Sequence, residues 1–62
     1  MGKIPLNTLV IATEKCGHWG AVDANTVGFT FREEGSKVVV VFKTKNKKWE
    51  EHAVNYKQIK PV

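Results

Sequence analysis

The sequence predicts an all-β protein, a small barrel of five short strands with one short helical turn near the C-terminus. Three observations lead there. Short runs of apolar and β-branched residues are separated by glycine-, asparagine- and aspartate-bearing turns. Residues 26–32 alternate strictly, with Val27, Phe29 and Phe31 at the odd positions, the period-2 mark of a half-buried strand. No window carries apolar residues at i, i+3, i+4 and i+7 over several turns, so no amphipathic helix competes. Closing the sheet is the economical way for such short strands to avoid exposed edges.

Taken in order, Pro5 blocks an early helix, and residues 6–13 read as the first strand, with Leu9 and Ile11 on one side and Val10 on the other. Residues 14–18 form a polar loop. Residues 19–22, Trp-Gly-Ala-Val, resume an extended run in which Gly20 suits a bulge, and residues 23–25 turn the chain through Asp and Asn side chains. The alternating strand at 26–32 follows. Residues 33–36 then make a four-residue hairpin loop into the strand at 37–45, whose Val38-Val39-Val40-Val41-Phe42 run is too β-branched for a comfortable helix. After a turn at 46–48, residues 49–54 form a shorter strand with Trp49, Glu51 and Ala53 on one side. Residues 55–59 make a single helical turn, and Pro61 ends the chain in extended form. Phe29, Phe31, Val39, Val41 and Ile59 are the expected core, while the inward parity of residues 38–42 stays open because both faces are apolar.

At 62 residues the material suffices for a single domain, residues 1–62, and leaves little room for an enclosed active site. A lone cysteine, Cys16, excludes an internal disulfide and fits a reducing cytoplasm. No apolar run resembles a signal peptide or nears the roughly 18 residues that span a bilayer, so no membrane partner is expected.

Ten Lys and Arg against six Asp and Glu give a formal charge of +4 and favour anionic partners. Five of the lysines, Lys37, Lys43, Lys45, Lys47 and Lys48, fall between Gly35 and Lys48 with no acid among them, while Glu33-Glu34 and Glu50-Glu51 bracket the stretch. Such a run either keeps a hairpin soluble and blunts its edge or faces an anion.

Two segments resemble known families. Leu9-Val10-Ile11 followed by Gly17-His18-Trp19-Gly20-Ala21-Val22 resembles the KOW pattern of SH3-like barrels in ribosomal proteins and transcription elongation factors. That resemblance implies a tight glycine bend whose loop contacts RNA, the ribosome or polymerase. Here Glu14-Lys15-Cys16 stands where the pattern has a glycine and a basic residue. Ala53-Val54-Asn55-Tyr56-Lys57-Gln58-Ile59 is similar to the SH3 ending, in which a short helical turn precedes a last strand. The acidic, aromatic first strand of peptide-binding SH3 domains is missing, so architecture is what carries over.

The candidate binding residues are Lys43, Lys45, Lys47 and Lys48 for phosphates, with Trp49 or Trp19 for stacking and His18 beside Trp19. Each tryptophan reads either as a core plug or as a surface platform. Cys16, His18 and His52 lack the spacing of a closed zinc site, and no third group would orient a Cys–His pair, so neither metal, cofactor nor catalysis is expected. Each Glu pair consists of sequence neighbours, which point to opposite sides of a strand and cannot converge as acid and base. The expectation is a non-enzymatic binding module for DNA or RNA, the alternative being a docking or inhibitory module for an acidic protein surface.

Overall fold

The computed structural model describes residues 4–44 and 47–62. Five strands, β1 (Leu9–Ala12), β2 (Val27–Glu34), β3 (Lys37–Lys43), β4 (Trp49–Val54) and β5 (Ile59–Pro61), form one sheet in the order β4-β3-β2-β1-β5, every neighbour antiparallel. The chain meanders from β1 to β4 and then returns past a 3-10 turn (Tyr56–Gln58) to lay β5 on the free side of β1. Among the described residues no α-helix packs on the sheet, and its inner face is covered by Ile4, Cys16, Val22 and Tyr56 from the segments that flank and connect the strands.

The all-β class and the count of strands agree with the sequence, but the membership differs. Residues 19–22 are not a strand: His18–Gly20 is a 3-10 turn, and Val22 makes an isolated bridge to Cys16. The fifth strand is Ile59–Pro61. It is the last strand that the resemblance to the SH3 ending implies after the helical turn, and β1 offers it an edge, with Ala12 opposite Ile59 and Val10 opposite Pro61. The β2–β3 connection is also tighter than four residues. Glu34 pairs with Lys37, leaving a two-residue turn whose Gly35 sits at φ +62°, where a side chain is strained.

The core gathers Ile4, Val10, Ala12, Cys16, Val22, Val38, Val40, Phe42, Val54 and Ile59. Even-numbered residues therefore face inward on β1, β3 and β4. The same holds on β2, which overturns the expectation that Phe29 and Phe31 are core: Gly28 and Thr30 are buried, Phe29 is half-buried and Phe31 exposed. Val41 is likewise half-buried on the outer side, and Val39 is buried but stands apart from the core cluster, whereas Ile59 is core as expected.

Two contacts explain the reversed parity. A Cβ on Gly28 would lie 2.6 Å from the Val41 carbonyl oxygen and 2.9 Å from the Phe42 ring, so β2 runs beside β3 where inward space admits only glycine. Two residues on, the buried Thr30 hydroxyl donates to the Pro5 carbonyl at 2.7 Å and accepts from the Thr8 amide at 3.0 Å. With Asn7 N–H donating to the Thr30 carbonyl and Thr30 N–H to the Thr8 carbonyl, one threonine ties the N-terminal segment to the sheet and brings Ile4 over the core. A bulge follows: Thr30 opposes Val40 but Arg32 opposes Val39, so Phe31 is the extra residue. Among the Phe, Trp and Tyr residues, Phe42 alone is fully buried.

Candidate functional site

The large apolar side chains missing from the core lie on the outer face of the sheet. In one row across the strands, Leu9 opposes Phe29, Phe29 opposes Val41 and Val41 opposes Glu51. In the next, Lys60 opposes Ile11, Ile11 opposes Val27 and, on the far side, Lys43 opposes Trp49. The chain end continues the first row, Val62 N–H donating to the Leu9 carbonyl at 3.1 Å. Leu9 is 60% exposed and Trp49 56%, and Val27 and Val62 are exposed too. The Trp49 ring meets the Phe29 ring at 5.8 Å between centroids with the planes tilted by 54°.

Lysines rim this surface. Lys43 stands on it, at the end of β3 opposite Trp49, and Lys60 stands on β5 at the other side. Lys47 and Lys48 are exposed in the turn between β3 and β4. Thr44 fixes that turn: its N–H and its hydroxyl both donate to the Lys48 carbonyl, at 2.9 and 3.1 Å, and Lys47 N–H donates to the Thr44 carbonyl. Lys47 has φ +61°, a left-handed residue that lets the tight turn close. Lys45 lies outside the described residues.

Trp19 and His18 belong to a different surface. Cys16 and Val22 exchange both backbone hydrogen bonds, at 2.8 and 2.9 Å, and close a loop whose base is buried in the core. Gly17 (φ +86°) and Gly20 (φ +65°) bend it, and a Cβ on Gly17 would lie 2.9 Å from the Val22 side chain. At the tip, Trp19 is 91% exposed and itself left-handed (φ 59°), an arrangement costing roughly 1–2 kcal/mol for an L-residue. The His18 ring meets it edge-on at 5.5 Å. His52 holds the loop down: its Nδ1 accepts from the His18 amide at 3.2 Å and its Nε2 lies 3.1 Å from Glu50 Oε1. His52 faces the inner side of β4 and Trp49 the outer, so the loop of Trp19 and the ring of Trp49 approach the strand from opposite faces.

The grouping of Lys43 with Trp49 is thus realised on one face, with Lys47 and Lys48 in the adjoining turn, while His18 and Trp19 stand elsewhere. Sequence reasoning missed Leu9, Val27, Phe29 and Lys60 as members of that face. The readable signal was Gly28 and Thr30, small and polar residues whose parity could equally have pointed inward.

Cys16 is buried, and burial, reinforced by the Glu14 carboxylate, pushes its thiol above the ordinary value, the opposite of what a nucleophile needs. Among the described residues, no three histidine, cysteine or acidic side chains stand close enough to hold a metal ion, and no helix is long and apolar enough to cross a membrane. Compared with protein-family models, curated proteins and solved structures, the chain matches none.

Proposed function

We propose that this chain is a small non-enzymatic binding module of the SH3-like barrel kind that grips nucleic acid through the lysine-rimmed end of its outer face. The strand order, with a 3-10 turn leading β5 back onto β1, and the glycine bend at Gly17 and Gly20 support the SH3-like and KOW-like readings. The observation that carries the function is the pairing of Lys43 with Trp49, whose exposed ring rests against Phe29 while Lys47 and Lys48 extend the positive charge. A cation beside an exposed aromatic ring is the combination that phosphate and base together require. Replacing Lys43, Lys47 and Lys48 by Glu, all on exposed positions, abolishes retention on immobilised single-stranded and duplex DNA and on RNA. Retention of the triple variant equal to the parent's contradicts the reading.

One observation favours a second reading, docking onto a protein. Trp19 is nearly fully exposed, backbone-strained and held on a closed loop, which are the properties of a preorganised anchor for an apolar pocket. On that reading Trp19→Ala abolishes a protein pull-down and leaves nucleic-acid retention intact. A pull-down unchanged by Trp19→Ala removes it.

A further inference from the structure

We infer that the nucleic acid this module takes is single-stranded and lies across the outer sheet face, its bases on Phe29 and Trp49 and its phosphates at Lys43 and Lys60. The inference rests on the nucleic-acid reading above and names the form of the ligand and its path.

The face is built across all five strands, so its width is four inter-strand spacings, about 19 Å. Lys60 stands at the β5 side, and Lys43, with Lys47 and Lys48 beyond it, at the β4 side. Between them run Leu9, Ile11, Val27, Phe29 and Val41, with Trp49 beside Lys43. Cations at both ends of an apolar, aromatic strip suit a chain that carries phosphates along its length and bases along its side. That width accommodates about four nucleotides, the lower end of the site sizes of small barrels that bind single strands.

Access to the bases selects against a duplex. The core lies against the other face of the sheet, and Leu9, Val27 and Trp49 of the strip are exposed. A duplex keeps its bases stacked inside, out of reach of Trp49 and Phe29. A single strand turns its bases onto the rings. The tilt of 54° between those rings leaves the exposed Trp49 face open to a base instead of closing the two into a stacked pair.

Charge selects the same surface over the Trp19 loop. The strip holds Lys43 and Lys60 against Glu51, with two more lysines at its rim, whereas the loop region from 14 to 23 holds Lys15 between Glu14 and Asp23. Phosphates are drawn to the first and not to the second.

The test is fluorescence anisotropy at low salt with three labelled probes: an oligothymidylate of about twelve nucleotides, the matching oligouridylate and a duplex of the same length. The single strands bind about tenfold or more tighter than the duplex and quench tryptophan emission. Trp49→Ala and Phe29→Ala each weaken single-strand binding about tenfold, Trp49→Phe restores most of the loss, and Trp19→Ala changes nothing. Circular dichroism of each variant confirms the fold, which the exposed Trp49 position does not threaten. Duplex binding as tight as single-strand binding, or single-strand binding indifferent to Trp49→Ala and Phe29→Ala, overturns this inference and leaves the nucleic-acid reading standing. Binding of none of the probes overturns both.

Discussion

The imidazole Nδ1 of His52 accepts a hydrogen bond from the backbone amide of His18 at 3.2 Å, fastening the loop that carries Trp19 to the inner side of β4. An Nδ1 that accepts from an amide carries no hydrogen, so the ring hydrogen sits on Nε2 and donates to Glu50 at 3.1 Å. The buried ring has both nitrogens occupied. His52→Ala leaves the His18 amide without this acceptor and opens a cavity beside Phe42, whose ring centroid lies 6.5 Å from that of His52. The expected loss is about 2–4 kcal/mol in urea unfolding. Faster amide exchange at His18, Trp19 and Gly20 accompanies it, and unchanged exchange there contradicts the tether.

Gly28 is the residue that sets β2 against β3. Gly28→Ala drives a methyl group into the Val41 carbonyl, a backbone atom with no freedom to swing aside. The expected cost is about 1–3 kcal/mol, read from the urea midpoint, where an alanine in an ordinary strand position gains stability over glycine.

Thr30→Val keeps the shape of a fully buried side chain and removes its hydroxyl. The Thr8 amide loses a donor's partner and the Pro5 carbonyl an acceptor's, so stability falls by about 1–3 kcal/mol. Proteolysis then reaches the segment around Pro5 first. A neutral result contradicts the role of this threonine.

The two sides of the sheet respond oppositely to truncation. Phe42→Ala costs about 3–5 kcal/mol, whereas Phe31→Ser, at an exposed bulge, changes stability by about 0.5 kcal/mol or less. Equal penalties contradict the assignment of faces.

Cys16 stays a thiol in the folded chain, because burial and Glu14 raise its folded value above the unfolded one. Its contribution to stability is complete below the unfolded thiol's value and fades as pH climbs through the raised folded one. Alkylation by iodoacetamide at pH 8 is accordingly slow in buffer and fast in urea. Equal rates contradict the burial.

The hairpins, the alternation of β2, the valine-rich β3 and the helical turn before the chain end are written in local pattern and were legible in the sequence. The facing of β2 was not. Val27, Phe29 and Phe31 form the more apolar side, and ordinarily the apolar side turns inward. What turns it outward is non-local: the close approach of Val41 to Gly28 and the demand of Pro5 and Thr8 for the Thr30 hydroxyl. The same reversal hid half of the candidate site. Lysines in one hairpin were visible as a run, but Phe29 and Leu9 join Trp49 only once their strands pair. The 3-10 turn at Trp19 was hidden for a simpler reason, since Trp-Gly-Ala-Val reads as a strand until the Cys16–Val22 bridge closes it into a loop.

The most direct measurement of the central claim is a residue-resolved NMR titration of the chain with a short oligothymidylate. Shifts concentrated on Leu9, Val27, Phe29, Lys43, Trp49 and Lys60, with the Trp49 indole signal moving furthest, are the predicted result. Shifts confined to His18 and Trp19, or none up to millimolar ligand, contradict it.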